Sequence, residues 1–365
     1  MSLLDDILGT EHGTPCLSLY QPTHRSFPDN RQDPIRFRNL LKTLDERLRD
    51  LDSATDANAL LAPFHALADE RDFWNRAQDS LAVLAAPGVF RVLRLQRPVG
   101  ELAVVADSFH VKPLLRIVQS ADRYQILGLS RDDVSLFEGN RDALDEVDLD
   151  AAVSDVVADT LGAPRDRPRS SVWTYRAGAS GSQPGAGVRH GVGSEKSELI
   201  ARETEKLFRD VDRAVLQVHS RPSGLPLVLA GLPEHQALFR RVSRNPFLLP
   251  DGIDVNPGTL SLDALRERAW RTVEPHYLAR LASLVELFGT ARAHALGSDD
   301  LDAIADNAAA GRVATLLVQA EREKADVDDR LDDIAETTLR HRGQVIVVPA
   351  ARMPTASGAA AIYRF

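Results

Sequence analysis

Short apolar runs alternate with helix-like segments along much of this chain, and the alternation limits its fold more than any other feature. Residues 313–319 and 345–349 are apolar runs of strand length, and residues 327–339 between them read as a helix. Strands that alternate with helices are typical of α/β folds, because each helix returns the chain to the same sheet. We therefore predict an α/β protein whose last block is an α/β/α sandwich with a mostly parallel sheet.

The first block begins with a strand, a polar loop and a helix. Residues 16–20 form an apolar run, and residues 21–25 (Gln-Pro-Thr-His-Arg) follow it as a polar loop. Apolar residues recur every three to five positions over residues 35–51, which predicts one face of a helix, and Asp33-Pro34 fits its first turn. Residues 80–95 read as two strands joined by a Pro-Gly turn.

At 365 residues the chain is too long for one ordinary hydrophobic core, which predicts two or three domains. Changes in the pattern place an N-terminal α/β domain at residues 1–120, a middle domain at 121–280 and a C-terminal α/β/α domain at 281–365. Within the middle domain, glycine, serine, proline and arginine dominate residues 162–194. A segment with so little to bury does not recover the entropy that ordering costs, so we predict a mobile loop there.

Two long helices are predicted in the rest of the middle domain. Residues 195–218 carry an apolar stripe with charged residues between its members, which predicts a helix directly after the loop. Residues 227–231 read as a buried strand, and another helix starts after Pro233. Residues 261–288 read as a long helix that Pro275 kinks or breaks, because proline lacks the amide hydrogen of a helical bond.

The charge balance and the single cysteine limit where the protein works. The formal net charge is −9 and the isoelectric point is about 5.6, so attraction to nucleic acid depends on local basic patches. No apolar run approaches the roughly 20 residues of a membrane helix, and the first residues do not resemble a signal peptide. Cys16 lies in an apolar run and is expected to be a buried small side chain. We predict a cytoplasmic protein without membrane partners.

Three stretches of the chain together resemble a known superfamily. The first is the strand pair at residues 124–137, followed by a loop, a long helix and the apolar strand at 227–231, which ends in Ala-Gly. The second is residues 301–318, a helix, a turn of small residues and a strand, and the third is the ending at 358–365 (Gly-Ala-Ala-Ala-Ile-Tyr-Arg-Phe). In this order they resemble the archaeo-eukaryotic release factor and Pelota superfamily, and residues 19–25 look like its bacterial branch.

The resemblance implies a middle domain like ribonuclease H and a C-terminal domain of the kink-turn-RNA-binding ribosomal protein type. In release factors of the superfamily the middle-domain loop carries Gly-Gly-Gln, whose glutamine helps to place a water molecule on the peptidyl-tRNA ester. The matching residues here are 189–194 (Arg-His-Gly-Val-Gly-Ser), where two glycines remain and no glutamine follows. The resemblance therefore implies a translation-associated factor, similar to release or ribosome-rescue factors, that binds the ribosome or structured RNA without direct peptide release.

The residues predicted to contact RNA or the ribosome lie in the loop before the long helix, at the start of that helix, and in the polar loop after the first strand. They are Arg176, Arg189, His190, Gly191, Gly193, Lys196, His24 and Arg25. His190 is also the candidate catalytic base, since imidazole titrates near neutral pH, although an exposed loop histidine is the simpler interpretation. Phosphate contact and ordinary surface charge remain equally open for two sets of basic residues. One set lies in the loop and comprises Arg165, Arg167, Arg169, Arg176 and Arg189, and the other lies on or beside the first helix and comprises Arg36, Arg38, Lys42, Arg47 and Arg49.

Two other functions remain open. One is an enzyme, a peptidyl-tRNA hydrolase or a nuclease, that uses His190 or carboxylates. However, the acidic runs at residues 299–306 and 326–333 are typical of solvated helix faces rather than of a two-metal site. The other is a protein-interaction module that kept the fold and lost RNA binding, which the acidic isoelectric point fits. Cysteine and histidine patterns that bind zinc are absent from the sequence, so neither a metal nor a small-molecule cofactor is expected.

Overall fold

The chain forms two compact units. One comprises Asp122–His276, and the other comprises Ser2–Ala121 together with Tyr277–Phe365. The computed structural model describes Ile7 and residues 12–50, 57–130, 134–147, 149, 192–320 and 325–365, with the side chains of two helices described only from Arg202 and Arg330 onward. The boundaries predicted from the sequence at residues 120 and 280 stay a prediction.

Helices and strands alternate through both units. The strands of the described residues are β1 (Cys16–Pro22), β2 (Ser80–Ala86), β3 (Val89–Leu95), β4 (Leu102–Ala106), β5 (Tyr124–Leu129), β6 (Val134–Gly139), β7 (Leu144–Val147), β8 (Leu227–Gly231), β9 (Leu248–Ile253), β10 (Gly297–Ser298), β11 (Val313–Gln319), β12 (Gln344–Val348) and β13 (Ala359–Tyr363). The helices are α1 (Asp33–Arg49), α2 (Ala57–Asp69), α3 (Arg71–Trp74), α4 (Lys112–Val118), α5 (Val192–Val215), α6 (Pro233–Val242), α7 (Leu262–Ala293), α8 (Leu301–Ala309) and α9 (Ala325–Arg340). A π-helical turn, Leu216–Ser220, follows α5 directly.

The strands pair into separate sheets, which confirms the predicted α/β class. The order β3-β2-β1-β4 forms an antiparallel sheet near the N-terminus. In the unit from Asp122 to His276 the order is β7-β6-β5-β8-β9, where β5, β8 and β9 are parallel and β6 and β7 are antiparallel to their neighbours. The C-terminal sheet has the order β10-β13-β11-β12.

The prediction of a mostly parallel C-terminal sheet was wrong. Only the β11–β12 pair of this sheet is parallel, while β13 runs antiparallel to both β11 and β10. The reason lies in the connections. The helix α9 carries the chain back between β11 and β12, whereas a short link without a crossover helix joins β12 to β13. A chain that does not cross back can add only an antiparallel neighbour.

Strands β1 and β2 bury both of their faces. On one face Leu17 and Leu19 of β1 pair with Ala85 and Val83 of β2, and all four pack into a core with the apolar sides of α1, α2 and α3. On the other face alternate residues of the same strands pack into a core with α4, α8, α9 and the C-terminal sheet, and these residues are Cys16, Tyr20, Ala82, Leu84 and Ala86. The N-terminal and C-terminal segments of the chain therefore share one core.

Cys16 behaves as the sequence predicts. Its side chain is 1% exposed. Burial, and to a smaller extent the nearby carboxylate of Asp107, raise the pKa of the Cys16 thiol, so the nucleophilic thiolate is disfavoured.

Polar contacts add to this shared core around α4. Lys112 Nζ lies 2.9 Å from Asp333 Oδ1 on α9, and Arg116 Nη2 lies 3.3 Å from Asp332 Oδ2. The segment after α4 also joins the C-terminal sheet, because the amide of Ala121 donates to the Val347 carbonyl at 3.1 Å. These contacts fix the chain just before it enters the other unit.

The core of the unit from Asp122 to His276 lies between its sheet and two helices. Leu127, Leu229 and Phe239 belong to an apolar cluster that α5 and α6 close on one side. The buried amide of Gln236 on α6 donates to the carbonyls of Gly231 and Ile253, both at 3.0 Å. Because these carbonyls end β8 and β9, one side chain ties the ends of two parallel strands to the helix.

The helices α2 and α3 were not predicted from the sequence, and three further elements differ from the prediction. The helix expected from Glu195 begins at Val192, so Gly193 lies in its first turn rather than in the preceding loop. The helix α7 continues through Pro275, because the remaining bonds of a 32-residue helix outweigh the loss of one. Strand β9 was missed since its proline and glycine argue against a strand, but it lies at the sheet edge, where proline is tolerated.

Replacing Gly231 by alanine is expected to destabilise the protein by about 1–3 kcal/mol, a typical cost of overpacking. A Cβ at this position would lie 2.5 Å from the carbonyl oxygen of Leu129, which the neighbouring strand holds in place. The free energy of unfolding measured in urea tests this. The control is Gly100→Ala, where a Cβ meets nothing within 4 Å. Equal effects of the two substitutions would contradict the steric explanation.

Candidate nucleic-acid interface

Several of the predicted contact residues lie outside the described residues. These are Arg176, Arg189, His190 and Gly191. Gly193 and Lys196 lie in the first two turns of α5, whose backbone is described there although the side chains are not. The structure therefore brings this group together only in that Gly193 and Lys196 share the beginning of one helix.

His24 and Arg25 lie in the loop between β1 and α1, and a buried carboxylate holds this loop. Asp33, in the first turn of α1, is 0% exposed. Its Oδ2 accepts the backbone amide of His24 at 2.7 Å, and its Oδ1 lies 2.8 Å from His24 Nδ1. A carboxylate at this end of a helix is stabilised by the helix dipole.

The contact with Asp33 sets the direction of the imidazole. An ionised carboxylate only accepts hydrogen bonds, so Nδ1 of His24 carries the proton that faces it. Nε2 is left for other contacts, and the His24 side chain is 40% exposed. Arg36 closes the site from α1, with Nη1 3.4 Å from Asp33 Oδ1 and Nε 2.8 Å from Glu101 Oε1.

Arg25 is fastened to the body of the protein. Its Nε donates to Asp79 Oδ1 at 2.7 Å and its Nη2 donates to Oδ2 at 3.0 Å, which is a bidentate pair. Thr23 adds a backbone hydrogen bond to the same residue, since the Thr23 amide donates to the backbone carbonyl of Asp79 at 3.0 Å. A phosphate that binds Arg25 therefore competes with a carboxylate.

An exposed aromatic residue lies in the same loop and was missed by the sequence analysis. Phe27 is 67% exposed, and the guanidinium carbon of Arg31 lies 4.5 Å from the centre of its ring. An exposed ring is suited to stacking on an unpaired base, and the arginine rigidifies it by a cation–π contact. A single phenylalanine among polar residues gives little signal in a sequence. The sequence likewise predicts only a helix start at Asp33 and does not show that this carboxylate holds the loop.

The basic residues of α1 are mostly engaged within the protein. Arg38 pairs with Asp69, Arg47 donates to the carbonyl of Ala103, and Arg49 pairs with Asp45. Lys42 is exposed. These contacts favour ordinary surface charge over phosphate binding for this helix.

The acidic runs of the described residues have structural partners. Asp300 caps α8, because its Oδ1 accepts the amides of Asp302 and Ala303 at 2.8 and 3.1 Å. Asp299 pairs with Arg292. Within the described part of the chain, no group of three or more histidine, cysteine, aspartate or glutamate side chains is arranged to hold a metal ion.

The sequence of residues 123–312, just over half of the chain, matches the profile of the bacterial archaeo-eukaryotic release factor family 3. The chain belongs to this family. Membership confirms the resemblance inferred from the sequence. The match covers the sheet from β5 to β9, the helices α5 to α8 and the segment before α5, but it does not include the β1–α1 loop.

Solved structures similar to this release factor family member include the following three proteins. An archaeal translation termination factor, aRF1, is 16% identical over 100% of this chain and 96% of its own, with a TM-score of 0.28. The Pelota protein of Thermoplasma acidophilum is 14% identical over 79% of this chain and 80% of its own, with a TM-score of 0.23. Dom34 of S. cerevisiae is 9% identical over 76% and 73%, with a TM-score of 0.39. No curated protein matches the sequence.

Within the described residues, no helix of this family member is long and apolar enough to cross a membrane.

Replacing Asp33 by alanine is expected to lower the free energy of unfolding by about 3 kcal/mol, because it leaves buried polar partners without their acceptor. The matched control is Asp29→Ala, which removes an exposed carboxylate from the same loop and should change stability by less than about 0.5 kcal/mol. Urea unfolding of both variants measures the difference. If the two midpoints coincide, Asp33 does not hold the loop.

Proposed function

We propose that this release factor family member is a translation-associated, cytoplasmic protein that binds the ribosome or structured RNA and does not itself release the peptide. Family membership is the observation that carries the proposal. The claim that the protein does not release the peptide rests on the sequence at residues 189–194, where no glutamine follows the glycines. Without that side chain the protein lacks the group that would place a water molecule on the ester.

The segment before α5 is the first proposed contact. Arg176, Arg189 and His190 supply charge and hydrogen-bond donors in sequence, and Gly193 and Lys196 follow in the first turns of the helix. The N-terminal end of a helix attracts anions through its free amide groups and its dipole. Arginine side chains and a helix end that both favour phosphate are therefore adjacent in the chain.

The β1–α1 loop is the second proposed contact. His24 is oriented by Asp33 with its Nε2 available, and Phe27 presents an exposed ring beside Arg31. Because Asp33 and Asp79 fasten the loop at both ends, little conformational entropy is lost when it binds. A pre-organised loop of this kind suits shape recognition of folded RNA.

Co-sedimentation of the purified protein with bacterial ribosomes across a salt series tests the proposal. We expect binding that weakens steeply as salt rises, since phosphate contacts release counterions. The double variant Arg176→Ala/Arg189→Ala should bind more weakly, with the slope of log K against log salt reduced by about 2, roughly one for each lost phosphate contact. The matched control is Arg268→Ala/Arg271→Ala, which removes the same charge from the exposed surface of α7.

The outcomes separate the three functions. Absence of binding at low salt would overturn the proposal and favour a protein-interaction module. Release of peptide from peptidyl-tRNA by the intact protein, lost on His190→Ala, would instead identify an enzyme. Ribosome binding without release, sensitive to Arg176 and Arg189 but not to the control pair, is the expected result.

A further inference from the structure

Two turns of the chain meet the C-terminal segment at one end of the C-terminal sheet, and Arg364 of that segment holds them together. Its Nη1 donates to the carbonyl of Gly311 at 3.1 Å. Its Nη2 donates to the carbonyls of His341 and Arg342 at 3.0 and 2.9 Å. The amide of Arg364 also donates to the carbonyl of Arg312 at 2.9 Å. The Arg-Phe ending of the sequence thereby acquires a structural role that the proposed function does not use.

Both turns that receive Arg364 end helices in a left-handed conformation. After α8 the chain turns at Gly311, with φ +69°, and after α9 it turns at Arg342, with φ +59°. The next residue, Gly343, has no room for a side chain, because a Cβ would lie 2.7 Å from the Val313 carbonyl oxygen. The glycine of this turn thus occupies position 343, and the left-handed position before it is occupied by Arg342, whose side chain is exposed.

The result is an exposed cluster of positive charge, the terminal basic surface. It consists of Arg312, Arg340, His341, Arg342 and Arg364, all of them exposed. Arg340 pairs with Glu336 at 2.7 Å, and Nδ1 of His341 lies 3.0 Å from the Thr337 carbonyl, which leaves Nε2 for other contacts. Among the residues that the structure describes, the guanidinium groups of Arg312 and Arg342 have no carboxylate partner.

An adjacent aromatic residue gives the surface a second kind of contact. Phe365 follows Arg364 directly and is 77% exposed, the most exposed of the large apolar side chains described. Guanidinium groups match the geometry of phosphate oxygens, and an exposed ring can stack on a base. An acidic protein segment would use the charge but not the ring, so the combination favours RNA over a protein partner.

We propose that the terminal basic surface binds the phosphate backbone of RNA, with Arg312 and Arg342 as the contacting groups and Arg364 as the residue that positions them. The inference deepens the proposed function, since it assigns a further RNA contact to a factor already proposed to bind the ribosome. It is independent of the segment before α5 and of the β1–α1 loop, because none of its residues belongs to either.

The test is fluorescence anisotropy of the full chain with a short labelled RNA hairpin, measured over a salt series. The variant Arg312→Gln/Arg342→Gln keeps the hydrogen bonds from Arg364 to the backbone carbonyls and removes two exposed charges. We expect its dissociation constant to rise about tenfold and its salt slope to fall by about 2, one for each phosphate contact. The matched control, Arg268→Gln/Arg271→Gln on α7, should bind like the unaltered protein.

Each outcome bears on the surface or on the proposed function separately. An unchanged salt slope in Arg312→Gln/Arg342→Gln overturns the assignment of the surface, even where ribosome co-sedimentation succeeds. Hairpin binding that depends on these arginines, in a protein that does not sediment with ribosomes, supports the surface and overturns ribosome binding, which leaves structured RNA as the ligand of the proposed function. Displacement of the hairpin by polyglutamate at equal charge concentration would identify an acidic protein partner and overturn RNA as the ligand.

Arg364→Lys tests the positioning role. Lysine keeps the charge but lacks the fork that reaches three carbonyls. We expect weaker hairpin binding and a lower urea midpoint, with the salt slope close to that of the unaltered protein. Unchanged binding together with an unchanged midpoint would overturn the positioning role.

Discussion

The burial of both faces of β1 and β2 is the constraint on which the larger unit depends. Antiparallel sheets commonly leave one face to water, but here α1 to α3 cover one face and the C-terminal segment covers the other. Two buried serines of these strands are hydrogen-bonded rather than solvated. Ser18 Oγ accepts the amide of His110 at 2.9 Å, and Ser80 Oγ accepts the amide of Val99 at 2.9 Å. Each such hydroxyl also draws a neighbouring loop onto the strands.

A shared core of this kind links parts of the chain that are far apart in sequence. The unit combines residues up to Ala121 with residues from Tyr277 onward, so the whole of Asp122–His276 is inserted between its two segments. Closing so long a loop costs entropy, which the buried apolar surface, the ion pairs from α4 to α9 and the backbone hydrogen bond from Ala121 to Val347 help to offset. One face of β1 and β2 stays uncovered until the C-terminal segment arrives, which makes folding of this unit dependent on contacts of high sequence separation.

Elements with a strong local pattern could be predicted from the sequence, and those fixed by tertiary contacts could not. The strands at residues 16–20 and 80–95 and the helix after Asp33-Pro34 are present, because apolar spacing and turn residues determine them locally. The edge strand β9 was missed, and the helix α7 does not break at Pro275, since both depend on neighbouring elements. At the candidate site the sequence names His24 and Arg25, whose role in binding stays a prediction. The buried acid Asp33, which orients His24, gives no signal beyond a helix start.

The hydrogen-bond partners of an arginine decide what else it can bind. By this measure the described arginines of this acidic chain fall into those paired with carboxylates, those bonded to backbone carbonyls and those without a carboxylate partner. Arg25, Arg38 and Arg49 face carboxylates at hydrogen-bond distance, so a phosphate gains little from them unless it displaces the acid. The guanidinium group of Arg364 donates to three backbone carbonyls, and in the proposal it therefore positions the surface rather than contacting a ligand. The backbone carbonyls of Arg312 and Arg342 accept hydrogen bonds from Arg364, and both of their side chains are exposed. In a protein with net charge −9, the proposed RNA contacts depend on the arginines that have no carboxylate partner among the residues the structure describes, not on the segments where arginines are most numerous.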